Sequence, residues 1–270
     1  MPIAYYARRA DRSYWTDHWA RQELDHLLAV AENDPVSRHI VKALPTSGIL
    51  LEAGCGLGQY VTYLSDRGYT ILGGDYSLGA LRAHRTSASE SPLAALVLRR
   101  LPFASAVLQG IISLGVVEHV EEGPQGILSE FCRTLATGGT LLLGVPWINR
   151  YRQLSTPRIR GDQAKLRVAG IPFYQYAFSC SEIRDFLGEA AFEVQAFQPY
   201  SPARGAREAP LLREMYRRMI PRPAAARPDR RIYSTPQEKS VSGIRRALYC
   251  PVVLKHFAHM ILVVALKTND

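Results

Sequence analysis

No apolar run in the 270 residues is longer than the seven of Met260–Leu266, far short of the roughly 20 that a membrane-spanning helix requires. The opening residues, MPIAYYARRADRSYW, hold no apolar stretch of signal-peptide length, so export is not expected. Cysteine is scarce. Cys55, Cys132, Cys180 and Cys250 stand too far apart for C-x-x-C pairs or a zinc module, and they are expected as reduced thiols of a cytoplasmic protein without a metal site. Internal repeats are absent. What the chain does have is apolar residues, 47% of the total, with 21% charged; that balance excludes a disordered chain and suffices for one large domain or two small ones.

The net charge of +9 is concentrated in one place. Between Tyr200 and His256 lie thirteen Lys/Arg and four Asp/Glu, leaving 20 bases and 20 acids elsewhere. This stretch also carries seven prolines and the pairs Arg217-Arg218, Arg230-Arg231 and Arg245-Arg246. It reads first as a solvated charged surface and second as a patch for an acidic partner, such as anionic lipid headgroups or an acidic substrate. Nucleic acid comes third, since no RNA-binding module accompanies the arginines.

Residues 1–48 read as a helical cap. Aromatics and leucines recur at helical spacing from Tyr14 through Trp15, Trp19, Leu24, Leu27 and Leu28, and Asp34-Pro35 opens a further helix. The period then changes. Short apolar runs at 48–52, 69–73, 94–98, 110–114 and 140–145 alternate with helical stretches at 59–67, 77–87 and 125–135. A helix at 181–188, a strand at 192–197 and a last strand from about Phe257 to Leu266 complete the pattern. Alternation of this kind predicts an α/β fold, with a mostly parallel sheet, helices on both faces and ligands at the C-terminal edge of the strands. Residues 49–199 and 257–270 form the expected core. Two long connections interrupt it, a substrate-side insertion at 147–179 and the basic insertion at 200–256.

The first strand ends in Glu52-Ala53-Gly54-Cys55-Gly56-Leu57-Gly58 and passes directly into a helix. Glycines there let the backbone turn sharply and bring N–H groups close to a ligand. The spacing is G-x-G-x-G, not the G-x-G-x-x-G of a dinucleotide site, which disfavours an NAD-dependent oxidoreductase. An acid two residues before the first glycine repels phosphates and favours a ligand with positive charge. Asp75 ends the second strand, where a carboxylate can accept both ribose hydroxyls of a nucleoside; the alternative is a helix N-cap or turn residue.

LLEAGCGLG, the Asp75 position, LPF at 101–103, SLGVVEHVEEG at 113–123 and FYQYAFS/EIRDFL together resemble class I S-adenosylmethionine-dependent methyltransferases, most of all the small-molecule group that shares the ubiquinone-biosynthesis methylase pattern. The resemblance implies a Rossmann-like, seven-stranded sheet whose last strand is antiparallel and inserted beside the fifth, with S-adenosyl-L-methionine as cofactor. It places Glu52 near the methionine ammonium and Ala53, Gly54, Gly56 and Gly58 under methionine and ribose. Asp75 takes the ribose hydroxyls and Tyr76 flanks adenine. Leu98 and Leu101 lie at the adenine edge, and Ser113 and Leu114 line the methionine side. Two positions depart from the pattern: Val97 stands where an acid would accept from the adenine amino group, and Gln109 where the fourth strand opens with an F-D pair. Loss of one charge-assisted hydrogen bond costs about 1.5–3 kcal/mol, or about tenfold or more in affinity.

For the chemistry, His119 is the candidate general base because its ordinary pKa suits proton removal near neutrality; its alternative is a structural histidine bonded to backbone. Glu118 is expected to cap or to pair with a nearby base. Tyr5, Tyr6, Tyr14, Trp15 and Trp19 form either a lid or the buried face of a helix packed on the sheet, and Phe173-Tyr174-Gln175-Tyr176 is expected to shape the acceptor pocket. The sequence thus points to methyl transfer onto O, N or C of a small molecule, lipophilic or acidic, and leaves peripheral contact of the basic stretch with an anionic membrane open. Two rivals stay open: a catalytically weakened relative acting as a scaffold, and an RNA methyltransferase.

Overall fold

The alternation of buried strands and helices is realised in a computed structural model that describes residues 1–86, 91–209, 213–214 and 248–268. Most of the basic stretch, 210–212 and 215–247, lies outside the described residues.

The strands are β1 (Ile3–Tyr6), β2 (Leu50–Ala53), β3 (Ile71–Asp75), β4 (Leu93–Ala95), β5 (Leu108–Leu114), β6 (Leu135–Pro146), β7 (Phe173–Ala177), β8 (Phe192–Tyr200) and β9 (Met260–Lys267). The helices are α1 (Arg12–Trp19), α2 (Leu24–Asn33), α3 (Pro35–Ala43), α4 (Gln59–Ser65), α5 (Leu78–Thr86), α6 (Gln125–Thr134), α7 (Arg150–Val168), α8 (Cys180–Glu189), α9 (Pro202–Ala206) and α10 (Pro251–Phe257). Seven strands form one sheet in the order β4-β3-β2-β5-β6-β9-β8. Neighbours from β4 to β6 are parallel, and β9 runs antiparallel between β6 and β8. The last strand is therefore inserted beside the fifth strand of the sheet, as expected.

Side-chain alternation along each strand sorts the core onto the two faces. Leu51, Ile111, Leu141, Leu143 and Val263 pack on one face with Phe131 and Leu128 of α6 and Ile183 and Leu187 of α8. Leu50, Ile112, Leu142 and Leu262 pack on the other with Ile40 of α3 and Val61 and Leu64 of α4. Continuous apolar runs in the sequence are what this burial on both faces requires.

Several expectations need correction. The region 1–48 is not wholly helical, because Ile3–Tyr6 pairs antiparallel with β7. A four-residue strand is invisible as a period; its partner lies about 170 residues away. The connection 147–179 is no irregular loop: α7 and β7 fill most of it. Residues 251–257 are helical, so the last strand starts later than Phe257. The strand near 94–98 is cut to Leu93–Ala95, and Val97 pairs back to Arg100 across a tight turn. The strand near 192–197 extends to Tyr200.

Candidate functional site

The C-terminal ends of β2, β3 and β5 place most of the sequence-predicted residues at one edge, with Leu98 and Leu101 following β4. Gly54, Gly56 and Gly58 all adopt positive φ (82°, 53° and 73°), a conformation that side chains disfavour. Space excludes side chains as well. A methyl group on Gly54 would collide with Val116, and one on Gly56 with the Trp19 indole. The loop is pinned to the neighbouring strand, since Gly54 N and Cys55 N donate to Gly74 O at 2.7 and 3.1 Å.

Asp75 holds the centre of the arrangement. Its Oδ2 accepts from Gly56 N (2.9 Å) and its Oδ1 from Ser77 N (2.7 Å). Helix α5 is capped by Ser77, whose Oγ accepts from Ala80 N at 3.3 Å, so Asp75 is not the cap. Burial raises the Asp75 carboxyl, opposed by those backbone N–H groups. Glu52 is 3% exposed and its Oε2 accepts from Val61 N of α4 at 3.0 Å. Burial pushes its carboxyl well above the ordinary range, and the Asp75 charge adds to the rise. Ala53 is fully buried beneath the loop. Two carboxyls at a desolvated edge disfavour an anion and suit a cation.

The remaining expected residues divide. Tyr76 is half-buried under the Arg12 guanidinium at 5.7 Å, and burial lifts its hydroxyl to about 12. Ser113 is buried and its Oγ has no hydrogen-bond partner, while Leu114 packs against the second core face. Leu98 packs on the core and Leu101 lies within it, the Leu101 N–H being taken by Glu130 Oε1 at 2.6 Å. Val97 is 58% exposed. Gln109 sits at the start of β5, where its Oε1 accepts from Ile49 N at 2.8 Å. That is the opposite edge from the glycines, so this departure from the family pattern affects strand pairing and not the ligand edge.

His119 follows β5 in a single 3-10 turn, Val117–His119. Its Nδ1 lies 2.7 Å from Tyr174 O. A carbonyl only accepts, so Nδ1 carries the proton and Nε2 keeps its lone pair. Trp15 and Tyr174 meet the imidazole edge-on, each at 5.0 Å. Burial lowers its pKa to about 4. Glu118 is 2% exposed and Oε2 has no hydrogen-bond partner; burial raises its carboxyl to about 8, with Arg204 the opposing charge. The expectation that Glu118 caps or pairs is therefore corrected for that oxygen. A buried acid looks like any surface acid in the sequence. The aromatics of α1 pack over this edge, Tyr14 against Tyr174 of β7 and Trp15 against His119. Trp19 lies on Gly56, and Thr16 meets Ser77 of the β3–α5 turn, Oγ1 to Oγ 3.2 Å.

The family described as "Methyltransferase domain" matches residues 51–143, which run from β2 to the end region of β6 and include the glycine loop, Asp75 and Glu118-His119. The likeness of residues 51–143 is to a methyltransferase domain. A Mycolicibacterium smegmatis protein named as a probable S-adenosylmethionine-dependent methyltransferase is 27% identical over 146 residues, 54% of this chain and 52% of that protein. The chain thus spans about half the length of the curated relative it matches. Among solved structures, a Haloferax volcanii chain from a complex of the Trm112 methyltransferase activator with a methyltransferase superposes with a TM-score of 0.59 at 16% identity, covering 94% of this chain and 98% of that one. A Methanosarcina mazei S-adenosylmethionine-dependent methyltransferase gives 0.56 at 14% identity, covering 87% and 98%. At those identities the likeness is one of fold. S-adenosyl-L-methionine is the cofactor of such methyltransferases, and the residues present fit it: a glycine loop in which Gly54 and Gly56 admit no side chain, two buried carboxyls, and unpartnered Ser113 Oγ and Glu118 Oε2 at the same edge.

Proposed function

We propose that the chain transfers a methyl group from S-adenosylmethionine to O, N or C of a small-molecule acceptor. The observation that carries this reading is the convergence, on one sheet edge, of the positive-φ glycine loop with the neutral His119 and the unpartnered Glu118 oxygen. Glu52, Ala53, Gly54, Gly56, Gly58, Asp75, Tyr76, Leu98, Leu101, Ser113 and Leu114 are the residues proposed to hold the cofactor. When bound, it supplies an electrophilic methyl on a sulfonium.

The chain's own groups then have to orient the acceptor, exclude water and take a proton. His119 is proposed as the base. With Nδ1 committed to Tyr174 O, Nε2 is the proton acceptor, and its low pKa keeps it neutral throughout the neutral range. Glu118, which burial keeps protonated in the neutral range, is proposed to orient the acceptor beside it through its unpartnered oxygen. Trp15, Tyr14 and Tyr174 supply an aromatic wall, which supports a lipophilic acceptor, and the charge of Arg204, felt by both Glu118 and His119, supports an acidic one. The proposed location is the cytoplasm, supported by four free thiols. No helix among the described residues is long and apolar enough to cross a membrane.

Calorimetric titration with S-adenosylmethionine and S-adenosylhomocysteine, beside Asp75→Ala, tests the reading. Micromolar binding that the substitution weakens about tenfold or more is expected. A folded protein that ignores millimolar cofactor would replace the enzyme with the scaffold. Methyl label appearing on RNA and on no small acceptor would replace the substrate class.

A further inference from the structure

The strand order β4-β3-β2-β5 sets a series of stations along the ligand edge. Glu118 and His119 follow β5, the glycine loop follows β2, Asp75 ends β3, and the turn from Val97 to Arg100 follows β4. A nucleoside with its ribose at Asp75 and its methionine directed toward β5 has its base on the β4 side. The Asp75-Tyr76 end and the turn are neighbours there, since Leu96 N donates to Asp75 O at 3.0 Å.

This corner offers apolar surface and cations. Leu96-Val97-Leu98-Arg99-Arg100-Leu101 contains no carboxylate. Val97 is 58% exposed, and its carbonyl accepts from Arg100 N at 2.9 Å. The Tyr76 ring is half-buried with the Arg12 guanidinium over its face. The acids around the corner each hold donors of their own. Glu130 takes Leu101 N and Arg133, and Glu122 takes Arg99 Nη2 at 2.8 Å. Asp11 caps α1 by accepting from Ser13 Oγ and Tyr14 N, and both Asp75 oxygens accept from backbone N–H groups.

We infer that this site holds the cofactor's purine by apolar contact with Tyr76 and Val97 and does not read its exocyclic amino group, Val97 being the residue that sets this. The inference rests on the proposed function, because it needs the cofactor bound with its ribose at Asp75. Recognition of the amino group by a carboxylate would be worth about tenfold or more in affinity, and a site built round such a bond rejects a ligand that lacks the group. A valine side chain neither donates nor accepts, and stacking on a ring face tolerates any base. Removal of the amino group therefore leaves no protein group unsatisfied.

Calorimetry of the full chain at neutral pH tests it, with S-adenosylhomocysteine and with the analogue whose base is unsubstituted purine. The two dissociation constants are expected to agree within about threefold. Val97→Asp should tighten S-adenosylhomocysteine but not the analogue, opening their ratio to about tenfold. Tyr76→Ala should weaken both about tenfold at an unchanged ratio. Thermal melts matching the wild type establish that each variant is folded. A wild type that prefers S-adenosylhomocysteine by about tenfold or more, or a Val97→Asp protein with the wild-type ratio, would overturn the inference and leave the proposed function standing. Failure of S-adenosylhomocysteine itself to bind would overturn both.

Discussion

At the scale of single residues, Glu118 makes a pH signature that a surface acid would not. Its carboxyl is raised from 4.5 to about 8 by burial, so in that interval the folded protein holds a proton that the unfolded chain has released. The stability it contributes is complete below about pH 4.5 and is lost as pH rises through about 8. Glu118→Gln removes this dependence. Urea unfolding of the cofactor-free protein at about pH 5 and about pH 8.5 should show a difference smaller by about 1 kcal/mol or more in the variant. An unchanged difference would mean the carboxyl is not buried as described. His119 acts in the reverse sense: its pKa falls from 6.5 to about 4, so its contribution is complete above about 6.5 and is lost as pH falls through about 4.

At the scale of elements, α1 and the β2–α4 loop are built against one another. Gly56 needs both a positive φ and the absence of a side chain, because the Trp19 indole occupies the space. Gly56→Ala should cost about 2 kcal/mol, combining backbone strain and overpacking. Trp19→Ala in the same chain should recover the packing part and leave the strain, a coupling measurable by a double-mutant cycle in urea. Additive effects would place Trp19 elsewhere. The helix itself was legible from its spacing. Where it packs was not, since the same aromatic stripe serves equally for a sheet face or a loop.

At the scale of the molecule, Arg152 ties together α7, α9 and the start of β9. It is 2% exposed and grips Glu208 with Nε to Oε2 at 2.9 Å and Nη2 to Oε1 at 2.6 Å, while Nη1 donates to Trp147 O at 2.6 Å. His259 Nδ1 lies 2.7 Å from Glu208 Oε1 and 2.8 Å from Arg152 Nη2, so the neutral ring can serve one of them at a time. Burial raises the Glu208 carboxyl, but His259 and Arg152 overcome it and bring it to about 2. Arg152→Met strands Glu208 and three backbone or ring acceptors. A loss of about 3 kcal/mol is expected in urea unfolding, and a loss under about 1 kcal/mol would show that the cluster is not structural.

The sequence by itself determined the sheet and its cradle. Burial on both faces writes strands as unbroken apolar runs, and a backbone that must turn sharply beside a ligand writes Gly54, Gly56 and Gly58. Both are local demands, so they are visible locally. The tertiary structure alone decided the partners of β1 and Arg152, the desolvation of Glu118, and the distance of Gln109 from the ligand edge. Each of those depends on what a residue meets across the chain, and a side chain's burial and charge environment are set by neighbours that its own sequence segment does not contain.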